Sequence, residues 1–477
     1  MTPIVAAADA LTVIDDRGAR LTPAQLQRFR HGFAGDVILP GDAPYDEARR
    51  VWNAVFDRRP ALIARPTSAA DAAAAIRFAR ERDLVIAIRA GGHSPAGHST
   101  CDDGLLIDLS AMRGVTVDPA RRAARVSGGT LLTELDRAAQ AHGLVCPVGV
   151  VGHTGVAGLT LGGGFGRLQR KLGLTIDNLR AVELLTADGE LVRTSDSEHP
   201  DLFWAMRGAG PNFGLVTAFE FNLHPFEGTL TRGVRIYDAR AIHDAWPVFS
   251  DFASKAPDQV SLTAGIALAE PAGDYPESVA GRPVFYIAFN HSGDPATAAA
   301  DVAPLDAGPK PAAATFVQAR YLDVQGGSDE AMGWGHRTYI KGAFANDLGP
   351  GTLDALVEHV ATAPAEATFG ITAQGGAMGR PGDMDTAFTG RTALLEVSAD
   401  TNWTDPADDT LNIGWARRAM AILEPDLVIG RYVNEIAEAG PEETRAIYGD
   451  AKMARLTELK RAWDPHNVFR LNHNVAP

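Results

Sequence analysis

The sequence predicts an α+β protein of two domains, and three observations carry that expectation. The chain has 477 residues, more than one core organises when domains run to about 100–200 residues. Its first half mixes short apolar runs, bounded by Gly, Asp and Pro, with helical patterns, and lacks strict strand–helix–strand repetition. The texture changes after His224-Pro225, where an alternating strand ends. The expected division is a first domain of residues 1–225, completed by residues 426–477, and a second domain of residues 226–425, a sheet backed by helices.

Each element has its own local reason. Residues 48–55 carry a helical pattern and residues 61–66 read as a short strand. Ser68 opens a second helix, with Asp71 in the acidic position of a loose capping box. Residues 84–89, 104–109 and, more weakly, 124–126 are strands. Residues 131–140 place apolar side chains at helical spacing, closed by Gly143. Residues 181–192 hold strand, Asp188-Gly189 turn and strand, the strongest hairpin signal in the chain. Residues 216–223 alternate with period two. In the second domain residues 283–289 form a strand and residues 303–314 are rich in Pro and Ala, while a last helix starts near Pro441. No internal repeat is present.

A net charge of -15 and a sequence pI near 5.3 argue against nucleic-acid or anionic-membrane partners, which require clustered Lys and Arg. Two cysteines, Cys101 and Cys146, make neither a disulfide framework nor a metal-ligand pattern. Residues 1–16 lack a basic n-region, and no run of about 20 apolar residues follows. These features lead us to expect a cytoplasmic protein without metal, membrane or nucleic-acid partner.

Two glycine clusters are the chain's most informative feature. Arg89-Ala90-Gly91-Gly92-His93-Ser94 is followed by Gly155-Val156-Ala157-Gly158-Leu159-Thr160-Leu161-Gly162-Gly163-Gly164-Phe165-Gly166. Glycine lets backbone N–H groups approach a pyrophosphate and form an anion-binding concavity. Together the clusters read as two walls of a flavin dinucleotide site, with His93 beside the cofactor; tight turns between strands use the same residue. Neither these clusters nor residues 207–214 satisfy G-x-G-x-x-G, since Arg167 and Phe213 fall at its last position. A Rossmann fold is therefore disfavoured.

These motifs, with Arg65-Pro66, Ile107-Asp108-Leu109-Ser110, Gly128-Gly129, Asp177-Asn178, Thr186-Ala187-Asp188-Gly189, the run from Asp201 to Gly214, Tyr432-Val433-Asn434, Tyr448-Gly449 and Asp464-Pro465-His466-Asn467-Val468-Phe469, resemble the FAD-binding domain of the vanillyl-alcohol-oxidase superfamily. Within it the chain is similar to the berberine-bridge-enzyme-like branch. The resemblance implies a two-domain PCMH-type FAD-binding fold with a sheet-plus-helices substrate domain. It implies FAD, bound covalently through His93 to the flavin 8α-methyl carbon, a bond that a neutral imidazole can form. The matching cofactor positions are Arg89, Ala90, Gly91, Gly92, Ser94, His98, Gly152, His153, Gly155, Gly158, Gly162, Gly163, Asn212, Gly214, Val216, Asn434 and Asn472. Branch members with a second link place a cysteine eleven positions before the glycine triplet, which here is Val151, whereas Cys146 lies sixteen before Gly162. A single attachment is expected, with Cys146 a buried small residue.

Residues 91–99, 149–155, 39–42 and 45–53 resemble a favorskiase subgroup of this branch, flavoenzymes that oxidise a polyketide through a flavin-N5-oxide. There the positions of Thr154 and Leu159 shape the pocket where O2 reacts. A second subgroup, the bacterial 6-hydroxy-D-nicotine oxidases, is similar in Pro95 and in residues 207–214. Tyr432 falls at the motif tyrosine of the branch, as a proton-handling phenol tuned down by its neighbours or as a packed ring with a bonded hydroxyl. The chain departs from the pattern at Glu435 and Met453, where tyrosines are usual, and at Thr372 and Gln374, where some members place a catalytic glutamate. Neither Thr nor Gln titrates near neutral pH. Tyr339 and Lys341 face either the flavin or solvent. The expected function is an FAD-dependent oxidoreductase that uses O2 on a small organic or polyketide-like substrate through an N5-oxide. A hydride-transfer oxidase of an alcohol, sugar or amine releasing H2O2, an O2-independent dehydrogenase, and a catalytically silent flavin binder are the alternatives.

Overall fold

The computed structural model describes residues 22–270, 275–364 and 366–477; residues 1–16, read above for a leader, lie outside the described residues. A four-stranded sheet takes Asp36–Ile38, Leu62–Arg65, Leu105–Asp108 and Ile86–Arg89 in that spatial order. The last three run parallel, and their apolar runs are buried on both faces, as parallel strands require. The helix Ala69–Arg80 links two of them, capped by Ser68 Oγ, which accepts from the Asp71 N–H at 3.2 Å. The Asp71 carboxylate instead accepts from the N–H groups of Ala34 and Thr67, so the capping box is half formed.

A five-stranded antiparallel sheet follows in the order Val115–Asp118, Ala123–Ser127, Leu215–Asn222, Leu179–Leu185, Leu191–Ser195. The Asp188-Gly189 hairpin forms as expected, with Gly189 at φ +73°. Leu185, Ala187 and Leu215 of this sheet share one apolar cluster with Leu62, Leu105 and Ile107 of the first, and Val468 and Phe469 join them.

Beyond His224-Pro225, which pair with Leu144-Val145, lies a nine-stranded sheet. Its long strands, in spatial order, are Thr229–Asp238, Pro283–His291, Val260–Leu268, Glu366–Ala373, Leu395–Trp403 and Arg337–Ala345, all paired antiparallel. Successive residues point to opposite faces, and the two faces differ. One is apolar: Leu262, Ile266, Phe285, Phe369 and Val397 pack under the helices Ile242–Lys255, Pro350–Val360 and Asp409–Leu423. The other carries Thr263, Gly265, Tyr286, Gly370, Thr372, Glu396, Ser398, Asp400 and Gly342, a small and polar stretch bordered by Ile340 and Phe344.

Two segments depart from the sequence expectation. The helix sought over residues 48–55 is Tyr45–Ala48 and stops there. Asn53 is committed elsewhere: its amide donates to Thr338 O at 2.8 Å and to Pro95 O at 3.0 Å, pinning the segment to the large sheet. The last helix, Pro441–Trp463, crosses a kink at Gly449, whose φ of +70° is left-handed.

Candidate active site

The two glycine clusters touch backbone to backbone. A Cβ on Gly91 would lie 2.1 Å from Gly155 N, and a Cβ on Gly155 would lie 2.3 Å from Gly91 N, so both positions exclude any side chain. The first cluster leaves the strand Ile86–Arg89 at Arg89, whose guanidinium donates to Asp108 at 2.8 Å and to Arg50 O at 2.7 Å. Although burial opposes it, Arg89 and Arg65 hold the Asp108 carboxyl below the usual carboxylate range. After Ala90, Gly92 turns left-handed at φ +72°. Ser94 Oγ accepts from the His98 N–H at 3.1 Å and fixes the loop.

His93 sits at this seam with its ring stacked on Trp52, 4.9 Å between centroids. Its Nε2 is 2.6 Å from His153 Nδ1, and His153 Nε2 is 3.2 Å from the Asp329 carbonyl. A carbonyl accepts and never donates, so His153 carries its hydrogen on Nε2 and accepts on Nδ1. His93 therefore donates from Nε2, and its Nδ1 keeps a free lone pair. Burial, then His153, hold the His93 pKa down to about 3, so the ring is neutral. Gly152 N–H donates to Asp329 Oδ1 at 2.6 Å, fixing the loop from the other side. Thr154 borders the seam, its carbonyl carbon 2.9 Å from the Gly91 Cβ direction.

The second cluster opens the short helix Val156–Leu161 at Gly155. A Cβ on Gly158 would meet open space, whereas one on Gly162 would lie 2.1 Å from Asn434 Oδ1. Gly163 and Gly164 take φ of +135° and +86°. The Asn434 amide donates to Leu159 O at 2.9 Å and to Tyr432 Oη at 3.0 Å. That same Oη accepts from the Phe165 N–H at 3.0 Å, and the ring stacks on Phe165 at 3.9 Å. Burial, then Glu435, push the Tyr432 phenol well above its usual value, the opposite of the tuning expected of a base. The Leu159 side chain leans over Gly149.

A third group closes the far end. Asn212 donates to His473 O at 3.4 Å and accepts from Val475 N–H at 2.8 Å, and Asn472 donates to Pro211 O at 2.9 Å. Gly214 packs a Cβ direction 2.5 Å from Leu185 O, and Val216 lies under Gly128. His98 meets His473 edge to face at 5.0 Å; burial lowers their pKa values to about 3 and about 4. Asn472 Oδ1 and His473 Nδ1 are buried without a partner.

These features fit FAD: a glycine cradle that a Cβ would fill, a neutral histidine with one free nitrogen, and orphaned polar atoms awaiting a ligand. Cys146 is fully buried in the core, as expected, and burial pushes its thiol up. Tyr339 and Lys341 are committed elsewhere: the Tyr339 hydroxyl donates to Glu438 at 2.6 Å, and Lys341 pairs with Glu438 and, at 3.0 Å, with Glu443. Sequence reasoning sought a carboxylate at Thr372 or Gln374 and missed Glu396, which strand pairing places opposite Thr372. Glu435, noted as a missing tyrosine, hydrogen-bonds with Glu396.

Comparison with known proteins agrees with this architecture. Residues 60–195 match the FAD binding domain family, and residues 431–476 match the berberine and berberine-like family. The (R)-6-hydroxynicotine oxidase of Paenarthrobacter nicotinovorans is 30% identical over 465 residues, 93% of this chain and 97% of the relative. The crystal structure of 6-hydroxy-D-nicotine oxidase from Arthrobacter nicotinovorans has a TM-score of 0.82 at 28% identity and covers 93% of this chain and 98% of its own. BBE-like 1 of Physcomitrella patens shares the fold, with a TM-score of 0.84, 23% identity and coverage of 95% and 99%. Fold and cofactor site define an FAD-linked oxidoreductase. Within that class, the chain belongs to the berberine-bridge-enzyme-like family.

Proposed function

We propose that the protein is an O2-using oxidase of a small organic substrate, carrying FAD covalently and singly through His93. Bound FAD supplies the redox chemistry, taking two electrons from the substrate and passing them to O2. His93 Nδ1 is the attachment atom, because Nε2 is occupied by His153. Gly91 and Gly155 let the backbone approach the cofactor, and the third group, from Asn212 to His473, holds its other end. Tyr432 and Asn434 keep the second cluster in shape. Thr154 and Leu159 border the space where O2 meets the cofactor. Residues 1–225 and 426–477 form the cofactor-binding domain, residues 226–425 the substrate domain, and the protein works in the cytoplasm. The substrate lies between the second cluster and the polar face of the large sheet. A second reading, oxygen transfer into the substrate instead of peroxide release, draws support from Thr154 at the glycine seam.

The observation that carries the proposal is the neutral His93 with one uncommitted nitrogen at that seam. Its test is the visible spectrum of the purified protein before and after acid precipitation. Yellow colour that stays with the precipitate and is lost in His93→Ala supports the covalent site. Flavin released entirely into the supernatant sinks it. Peroxide formed on return of O2 to the reduced protein supports the oxidase; a persistent altered spectrum abolished by Thr154→Val supports oxygen transfer.

A further inference from the structure

Three carboxyl side chains meet on the polar face of the large sheet with no cation among them. Glu396 stands opposite Thr372 on one side and Phe344 on the other, and Asp400, four residues along the same strand, shares its face. Glu435 arrives from the segment after Asn434 and hydrogen-bonds with Glu396. Two carboxyl groups can bond in this way only with a proton between them. Glu396 is 2% exposed, and its Oε1 has no partner. Asp400 accepts from Ser398 at 3.0 Å through one oxygen, while its buried Oδ1 accepts from nothing.

A separate side chain points to a ligand on the same face. Gln374, two residues beyond Thr372, is 1% exposed, and neither its amide nitrogen nor its oxygen is paired. The cluster packs straight onto backbone: a Cβ on Gly342 would collide with Glu396 Oε1 at 2.9 Å, and one on Gly370 with Ser398 Oγ at 2.9 Å, so glycine is what lets these polar groups crowd together here. Among the described residues, none of the three carboxyls is in an ion pair. Lys341, on the neighbouring strand, is spent on Glu438 and Glu443. Among the described residues, the phenols of Tyr286 and Tyr432 face Asp400 and Glu435, and both are pushed up by burial. Burial raises all three carboxyls; the Glu435 charge raises Glu396 and Asp400 further, Asp400 to about 8, while the bond to Glu396 pulls Glu435 back down. At neutral pH Asp400 therefore holds its proton, the Glu396–Glu435 pair shares one, and Glu396 Oε1 and Asp400 Oδ1 remain unfilled.

We propose that Glu396, Asp400 and Glu435 form the amine-binding subsite of the substrate pocket: a cationic amine donates N–H groups to the unpaired oxygens of Glu396 and Asp400, and its charge expels a proton from the Glu396–Glu435 pair. The proposal rests on the reading that substrate binds this face. An alcohol or sugar hydroxyl could fill an acceptor site, but it brings no charge to draw the proton off. Binding and proton release are thus coupled for an amine and uncoupled for its neutral analogue.

The test is calorimetric binding of benzylamine and pyrrolidine, with benzyl alcohol and cyclopentanol as neutral partners, to the flavin-loaded protein in buffers of different ionisation heat. The expected result is amine binding with release of about one proton and affinity rising about tenfold per pH unit over the range in which the ligand-free pair keeps its proton. Glu396→Gln is expected to weaken amine binding at least tenfold and abolish proton release, with alcohol binding unchanged; Glu435→Gln serves the same purpose if that variant does not fold. Amines that fail to bind, bind without releasing protons, or bind no tighter than the alcohols would overturn the proposal. Loss of acid-stable flavin or of any oxidation would count against the oxidase reading, and the binding arm would still decide the subsite.

Discussion

At Gly91 a single methyl group would collide with backbone, and backbone cannot swing aside as a side chain can. Gly91→Ala is therefore expected to lose about 1–3 kcal/mol in chemical denaturation and to lower flavin content in the purified protein. Tyr432→Phe removes the acceptor of the Phe165 N–H and of the Asn434 amide, a loss of about 1–3 kcal/mol. Because the phenol stays protonated across the neutral range, the pH profile of turnover should not move; a shifted profile in Tyr432→Phe would show that the phenol titrates. The glycines were legible in the sequence because their chemistry is local. Tyr432 was locatable by motif, but the direction of its pKa depends on burial, which residues distant in sequence create. Glu396 was not legible at all: its position opposite Thr372 exists only once two strands pair.

The helix Pro441–Trp463 owes its seating to a buried ion pair. Lys460 and Asp464 are fully buried, 2.7 Å apart, and the ammonium also donates to Asn212 O at 2.7 Å and Phe469 O at 3.0 Å. Lys460→Met would strand the Asp464 carboxylate without its cation, an expected loss of about 3–5 kcal/mol. Denaturation would read the loss, and limited proteolysis should show earlier cleavage after residue 464. At this scale the hairpin of residues 179–195 was readable because Asp188-Gly189 encodes its own turn. Residues 48–55 misled because Asn53 answers to Thr338, a partner 285 residues away, and such commitments override local helical pattern.

The whole molecule should show the carboxyl trio in its pH dependence. A group whose pKa is raised by folding contributes stability that is complete below its unfolded value and is lost as pH climbs through its folded value. For Asp400 that window runs from about 4 in the unfolded chain to about 8, so the melting temperature of the ligand-free protein should fall across it. Asp400→Asn should melt a few degrees above wild type at pH 9 and close to it at pH 4; parallel curves would show that the carboxyl ionises freely. The α+β class and the PCMH-type architecture were readable from motif order, but the strand order of the large sheet was not, since it depends on pairings between distant segments.

The bond from Val475 N–H to Asn212 Oδ1 spans 263 residues. A ribosome adding roughly 5–20 residues per second emits both glycine walls and Asn212, then takes roughly 13–50 s more to deliver the segment that completes the third. Through that interval the nascent chain carries a half-built cradle, so flavin retention is expected only in chains that extend past residue 475; truncations ending before it should lose the cofactor on gel filtration.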